Sequence, residues 1–334
     1  MKLYMAARMI LVTGGAGFIG SFIHAGLAAR GYQTVVIDRL GEGEKWRNLA
    51  KHPPDRLLPP SELDAFLAAA PPLEAALHLG AISNTTATDG DLAWATNVEL
   101  SGRLWRWCAA HRVRLIYASS AATFGYGAQG FDDDASLEYL TGLRPRNLYG
   151  WTKHAFDLFV ARTIARRDPV PPQWVGLKFF NVFGPNEYHK RNMISVVKVK
   201  YDEIAHGRAP RLFRSCEPGI ADGEQRRDFI WVGDVAEIVL WLLSAPHVSG
   251  LFNVGTGRAR TYLDVAHAIC DAVGVPKEVE FIDMPEALLG QYQSFTQASM
   301  NRLRDAGYAR PFTPLEDGIR EYVWHYLATD DPFV

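Results

Sequence analysis

Tyr149 and Lys153 stand four residues apart in LYGWTKHAFDLFVARTIARR, a stretch that predicts a helix from about Tyr149 to Arg167. At that spacing both side chains leave one face of the helix. An ammonium beside a phenol favours the phenolate and draws a pKa of about 10 down towards neutrality. Tyr149 is thereby a candidate general base, able to take a hydroxyl proton while a hydride leaves the same carbon for a nicotinamide. A hydroxyl to hold the substrate alcohol is at hand, because the apolar run RLIYAS predicts a buried strand that delivers Ser119 and Ser120 to the rim of a sheet. Tyr-x-x-x-Lys pairs also arise by chance, so the meaning of this one depends on the elements that position it.

Those elements begin with Met9–Gly20, MILVTGGAGFIG. Four apolar residues, Met9 to Val12, suit a buried parallel strand, and Gly14, Gly17 and Gly20 then recur every third residue. Gly14 permits a tight turn, Gly17 lets a pyrophosphate approach the backbone, and Gly20 lets the next helix lie close on the strand. Free amides where that helix starts, at Phe18 and Ile19, would face the anion. A second strand, Thr34–Asp38, ends in a carboxylate 18 residues after Gly20, where dinucleotide-binding folds hold a ribose hydroxyl. Arg39 and Lys45 follow. A cation there can accept the 2′-phosphate of NADP, whereas a carboxylate alone suits NAD, so NADP is favoured and NAD stays open.

Further along, a short strand is expected at Arg56–Leu58 and another at Glu74–Gly80. The second runs into Ala81-Ile82-Ser83-Asn84-Thr85-Thr86, a small-residue loop at a strand's carboxyl end, where open α/β sheets hold ligands. Leu79, Gly80, Ala81, Ile82 and Ser83 are accordingly cofactor candidates, while His78 within the strand reads as a core histidine. A helix over about Asp91–His111 carries Trp94 and Trp107 at helical spacings that suit core packing. Gln173–Phe179 reads as a strand leading to the turn Asn181-Val182-Phe183-Gly184-Pro185. Beyond it, basic residues are dispersed at Lys190, Arg191, Lys198, Lys200, Arg211, Arg214, Arg226 and Arg227. A substrate diphosphate needs such partners, although most read as a solvated helix face. Glu217–Gln225 reads as an exposed loop, and Phe229–Val232 and Leu251–Val254 as strands returning to the nucleotide domain. Asp283-Met284-Pro285 and a helix Leu315–Leu327 are expected to close a substrate cap.

The chain has 334 residues, 48% of them apolar, which suffices for a large core. Its 35 basic and 37 acidic residues leave a formal charge of −2, so no global field favours nucleic acid or an anionic membrane. Cys108, Cys216 and Cys270 include no C-x-x-C pair, which argues against a disulfide framework or a zinc site and fits a reducing cytoplasm. The opening MKLYMAARMILV is interrupted by Arg8 and its apolar part already serves as the first strand, and no run approaches the length of a membrane span.

TGGAGFIG, YASSAATFG and Tyr149-Gly-Trp-Thr-Lys153 together resemble the extended short-chain dehydrogenase/reductase superfamily. HLGAISNTTATDGD, FFNVFGPNEYHKRNMISVV, RRDFIWVGDVAEIVLWLL, GLFNVGTGRARTYLDVA and GQYQSFTQASMNRLRDAGY resemble, more finely, the ADP-L-glycero-D-manno-heptose 6-epimerase family, almost throughout the chain. The resemblance implies an α/β fold, a Rossmann-type doubly wound parallel sheet with a smaller, discontinuous C-terminal α/β substrate domain. The dinucleotide domain would span 8–180 with 228–255 returning to it, and the substrate domain 181–227 and 256–330. It implies an isomerase that oxidises the sugar at C6 transiently with bound NADP, lets the ketone turn over its other face, and returns the hydride, in heptose supply for lipopolysaccharide.

Carried over by motif, the first base is Tyr149, supported by Lys153 and Ser120, and the second is Lys190, which needs a lowered pKa that burial or the neighbouring Arg191 would supply. Asn97, Val182 and Lys190 join the cofactor residues. Asn181, Asn192, Phe213, Arg214, Ser215, Cys216, Arg227 and Tyr292 become substrate contacts, with Arg227 for the diphosphate. The family also implies a homo-oligomer. Arg191 and Asn192 stand where the pattern often has Gly and Ser, and Val199 where a substrate-contacting His is usual. The competing readings are another nucleotide-sugar 4-epimerase, a reductase, a 4,6-dehydratase, which the Ala121-Ala122 after Ser120 disfavours, and a non-catalytic dinucleotide sensor.

Overall fold

The computed structural model describes residues 9–286 and 293–334. Its strands are β1 (Met9–Thr13), β2 (Gln33–Ile37), β3 (Arg56–Leu58), β4 (Leu73–His78), β5 (Arg114–Ser120), β6 (Trp174–Phe179), β7 (Asn181–Phe183), β8 (Arg211–Phe213), β9 (Arg226–Trp231), β10 (Gly250–Val254), β11 (Ala259–Thr261) and β12 (Glu280–Ile282). The helices that matter here are α1 (Phe18–Ala28), α2 (Leu63–Ala68), α3 (Gly90–Trp94), α4 (Leu100–Ala110), α5 (Leu137–Gly142), α6 (Leu148–Ala165), α7 (Val196–Ala205), α8 (Val232–Ser244) and α9 (Tyr262–Val273). Seven strands form one parallel sheet in the order β10-β6-β5-β4-β1-β2-β3. The order reverses at β1, between β2 and β4, which opens a crevice beyond the strands' carboxyl ends.

Successive strand residues point to opposite faces, and both faces are covered. Ile10, Val12, Leu77 and Ile116 pack with Ile23 and Leu27 of α1 and with Val235, Val239 and Leu242 of α8. Leu11, Ala76, Leu115 and Tyr117 point the other way, onto Phe66 of α2, Leu104 and Trp105 of α4 and Phe156 of α6. Trp105 is the fully buried tryptophan. Trp94, expected in the core, instead lies exposed against the exposed Trp151, ring centroids 5.2 Å apart. Trp107 is half-buried and donates to the Leu67 carbonyl at 3.0 Å. The expected helix 91–111 forms, but a π turn at Ala95–Glu99 rotates its first turn away from the register of α4.

Of the two strands expected to return to the sheet, only β10 does so, pairing with β6. β9 joins a separate three-stranded sheet, parallel to β7 and antiparallel to β11, so the expected return of Phe229–Val232 is corrected. A parallel pair, β8 with β12, forms a third small sheet. The helix Leu315–Tyr322 continues as a π turn, Val323–Leu327, and packs Ile319 and Tyr322 beside Phe183 and Trp231. Among the described residues no helix is long and apolar enough to cross a membrane.

Candidate active site

A cleft of ≈ 680 Å³ opens at the carboxyl ends of the central strands. The glycine turn forms its floor. Gly14 has φ 71°, and a Cβ on it would meet the Gly80 nitrogen at 2.5 Å, so the β1 and β4 turns touch only because that side chain is missing. A Cβ on Gly20 would fall 2.1 Å from the Gly14 carbonyl oxygen, whereas one on Gly17 would meet only that oxygen, at 3.1 Å. Gly17 precedes the first turn of α1 and lines the cleft with Phe18, Ile19 and Gly20. The turn is a cradle open to an anion at the start of an eleven-residue helix.

β2 stops at Ile37, so Asp38 directly follows the strand rather than ending it, and its carboxylate does more than face the cleft. One oxygen accepts from the Ala16 amide at 2.9 Å, fixing the glycine turn, and the other from the Lys45 ammonium at 2.7 Å. Lys45 lines the cleft, whereas the exposed Arg39 does not. Leu79, Gly80, Ala81 and Ser83 line it too. Ile82 and Asn97 do not, and their part is indirect: Asn97, buried in the π turn, accepts from the Ile82 amide at 2.8 Å and donates to the Ile82 carbonyl at 2.9 Å and to Thr152 at 3.0 Å. His78 is the core histidine expected, bonded to Thr13 at 2.7 Å and Ser101 at 2.8 Å, its imidazolium disfavoured by burial down to a pKa of about 3.

Asn147 caps α6 by accepting from the Gly150 amide, and this starts the helix so that Tyr149 and Lys153 enter the cleft one turn apart. The Tyr149 and Ser120 hydroxyls are hydrogen-bonded. Burial pushes the Tyr149 phenol up, with the Ser120 bond opposing. The expected lowering by Lys153 is therefore not the governing effect in this arrangement. The Lys153 ammonium donates to the Ala118 carbonyl at 2.8 Å, and burial draws its pKa down to about 8 while Asp157 holds it up.

Lys190 enters from another element, the 3₁₀ turn Tyr188–Met193 after β7. Its ammonium lies 5.1 Å from the centre of the Phe18 ring. Burial lowers its pKa and the Glu187 carboxylate opposes, so burial rather than Arg191 supplies the effect anticipated. Glu187 is itself fully buried and accepts from the Ser195 amide and hydroxyl, both at 2.6 Å, and from Tyr322 at 3.1 Å, which ties this turn to α7 and the C-terminal helix.

Asn181, Val182, Asn192 and Arg227 also line the cleft, Arg227 buried, with its guanidinium 5.8 Å from the Tyr262 ring centre. Phe213, Arg214, Ser215 and Cys216 do not line it. Phe213 ends β8 and the other three follow it, where Arg214 pairs with Asp222 at 3.1 Å and the Ser215 amide donates to Asp222 at 2.8 Å. Tyr292 lies outside the described residues. Val199 is exposed on α7 and away from the lining. Of the eight dispersed cations only Lys190 and Arg227 reach the cleft, while Lys198, Lys200 and Arg211 pair with Asp202 and Glu203. Sequence reasoning missed Arg146, His189 and Tyr262, which the fold brings to the lining. The nearest signals were the position of Arg146 three residues before Tyr149, that of His189 beside Lys190, and the Thr261–Asp264 capping box that starts α9 at Tyr262.

Among the described residues, five cations (Lys45, Arg146, Lys153, Lys190 and Arg227) and one carboxylate (Asp38) line the cleft. A chain of net charge −2 thus concentrates positive charge where anions would bind. Residues 10–255 match the NAD dependent epimerase/dehydratase family. The ADP-L-glycero-D-manno-heptose-6-epimerase of Nitratidesulfovibrio vulgaris strain DP4 is 47% identical over 331 residues, 98% of this chain and 100% of that one. The crystal structure of the Helicobacter pylori ADP-L-glycero-D-manno-heptose-6-epimerase superposes with TM-score 0.76 at 26% identity, over 95% of this chain and 96% of that one. A Thermus thermophilus UDP-glucose 4-epimerase in complex with NAD gives TM-score 0.70 at 26% identity, over 94% and 97%. The chain belongs to the NAD dependent epimerase/dehydratase family and, within it, to the ADP-L-glycero-D-manno-heptose-6-epimerases.

Proposed function

We propose that this chain interconverts ADP-D-glycero-D-manno-heptose and its L-glycero epimer through a transient 6-keto sugar, in the supply of heptose for lipopolysaccharide. The observation that carries the reading is the meeting, in one electropositive cleft, of the glycine cradle, the Tyr149–Ser120 pair with Lys153, and Lys190 from a different element. Gly14, Gly17, Phe18, Ile19 and Gly20 would hold the pyrophosphate of the dinucleotide, and Asp38 with Lys45 its adenosine end. Lys45 beside the ribose supports NADP, since its ammonium can meet a 2′-phosphate, and it takes the place first given to Arg39. A bound dinucleotide would supply the acceptor, and then the donor, of the C6 hydride.

The rest is done by the chain. Ser120 holds the C6 oxygen and, with the Lys153 ammonium, would offset the burial that raises the Tyr149 phenol, so that Tyr149 as phenolate takes the proton. The planar ketone then turns, and Lys190 donates a proton when the oxygen is presented in the opposite sense. A lysine can do this because burial weakens its hold on the proton. The sugar nucleotide would lie against segments 181–227 and 256–330, with Arg227 on its diphosphate. Elimination of water is not favoured, because Ala121 and Ala122 follow Ser120 and the one carboxylate that lines the cleft among the described residues, Asp38, is engaged by Lys45 and the glycine turn.

The test is proton NMR of purified protein with ADP-D-glycero-D-manno-heptose and no added cofactor, following the C6 configuration, with the dinucleotide released on denaturation identified in parallel. Conversion to the L-glycero epimer that falls by about 10²- to 10⁴-fold in Tyr149→Phe is expected, the usual worth of a positioned acid–base group. A folded, dinucleotide-loaded protein that leaves the sugar unchanged would refute the reading.

A further inference from the structure

Beside the Tyr149–Lys153 pair lies an ion pair that the chemistry above does not use. Asp157 is the next i+4 residue on α6 after Lys153, so Tyr149, Lys153 and Asp157 form one stripe. Its Oδ2 accepts from the Lys178 ammonium and from the Ser119 hydroxyl, both at 2.7 Å, and the Tyr117 hydroxyl donates to Oδ1 at 3.4 Å. The Lys178 and Asp157 side chains are 0% and 1% exposed. Lys178 also donates to the Thr123 hydroxyl at 2.7 Å, which in turn donates to the Ser120 carbonyl at 2.8 Å. One network therefore joins α6, β5, β6 and the turn that carries Ser120.

A buried ammonium–carboxylate pair is a poor means of holding a fold. Desolvation offsets most of the attraction, and apolar residues of similar volume often do as well or better. The placement of this pair points elsewhere. Ser120 lies between Ser119, held by Asp157, and Thr123, held by Lys178, so the hydroxyl that meets Tyr149 is fixed on both sides. Lys153 shares its face of α6 with Tyr149 and Asp157, its charge bears on His78 at the end of β4, and Lys178 on β6 is reached through Asp157. His78 is neutral, and Asp157 is the group that holds the Lys153 proton on against burial.

We propose that Asp157 and Lys178 are positioning residues for the reaction, holding the Ser120 segment against the Tyr149 hydroxyl and setting a carboxylate one turn beyond Lys153 on α6. The role rests on the epimerase reading, but its test does not depend on turnover alone. The Lys153 ammonium is followed by NMR titration of protein labelled at the lysine ε-carbons, with dinucleotide bound and Lys153→Met to assign the signal. The double variant Asp157→Leu/Lys178→Met removes both charges and replaces them with apolar bulk.

In Asp157→Asn, which removes the carboxylate and leaves the Lys178 ammonium in place, the Lys153 midpoint is expected to fall by a pH unit or more, and the double variant serves for turnover. The epimerase kcat is expected to fall tenfold or more with KM within twofold of wild type. An unchanged Lys153 midpoint, or wild-type kcat with a wild-type pH profile, overturns the proposal. If the double variant does not fold, Asp157→Asn serves for turnover too, with the same expected fall in kcat. Failure of both to fold also overturns it, because the pair would then serve the fold itself. Wild-type protein that is inactive on the heptose sugar, yet shows the Lys153 shift, would count against the epimerase reading and leave the positioning of Lys153 standing.

Discussion

Lys190 is placed by a backbone that resists its neighbour. Arg191 has φ 50° and ψ −121°, a region that side chains other than glycine's rarely adopt. The strain accounts for the glycine that the family pattern often has there, and such a residue costs about 1–3 kcal/mol unless its surroundings compel it. The compulsion is visible in Glu187, whose carboxylate is gripped by Ser195 and Tyr322 while its carbonyl accepts from the Lys190 amide at 3.0 Å. Arg191→Gly is therefore expected to raise stability by about 1 kcal/mol, part of the relief being offset by the freer unfolded chain. Urea unfolding checks this, and an unchanged or lower midpoint with the same slope would show that the turn is not strained. Nothing in the sequence announced the positive φ except the departure from glycine itself.

At the scale of elements, the glycine turn separates two effects that sequence motifs merge. Gly20 is needed by the fold, because any Cβ there would enter the Gly14 carbonyl. Gly17 is not held by the fold in that way, because its Cβ would find only one tight contact at 3.1 Å, and it is the proposed pyrophosphate site that a side chain there would enter. Gly17→Ala is expected to keep its thermal midpoint within a few degrees while losing tenfold or more in dinucleotide affinity. Gly20→Ala is expected to lose stability outright. Thermal unfolding beside dinucleotide titration distinguishes them, and equal destabilisation of both would contradict the assignment.

The strands β1 to β6 and helices α1 and α6 were legible within a residue or two, because apolar runs bounded by glycine, proline or a cap admit few alternatives. The placement of β9 was not. Its apolar stretch Phe229–Trp231 suits any buried strand, and only its pairing with β7 and β11 decides which sheet receives it. Trp94 was misplaced for a related reason, since a π turn resets the helical face on which spacing arguments depend.

At the scale of the molecule, the cleft is assembled from segments far apart in the chain: the turn after β1, the loop after β4, the end of β5, the start of α6, the turn after β7, and β9 with α9. Motifs showed Gly14, Asp38, Ser120, Tyr149 and Lys153, since each lies at or just past a strand end or in the first two turns of a helix. They could not show that Arg146 and Tyr262 converge there, or that Arg214 and Cys216 do not, because convergence is a property of the packed sheets. The convergence gives this nearly neutral chain a basic cleft that Tyr149 and Lys190 enter from separate elements.

That arrangement makes a sharp demand on the sugar's own hydrogen. Transient oxidation at C6 followed by return of the same hydride must conserve it, whereas inversion by proton removal from C6 would exchange it with water. The most direct measurement is turnover of the C6-deuterated substrate in ordinary water by the protein with its bound dinucleotide. Product of inverted configuration with deuterium retained at C6 is the expected result. Inverted product that has lost its deuterium to solvent would contradict the two-base hydride cycle assigned to Tyr149 and Lys190.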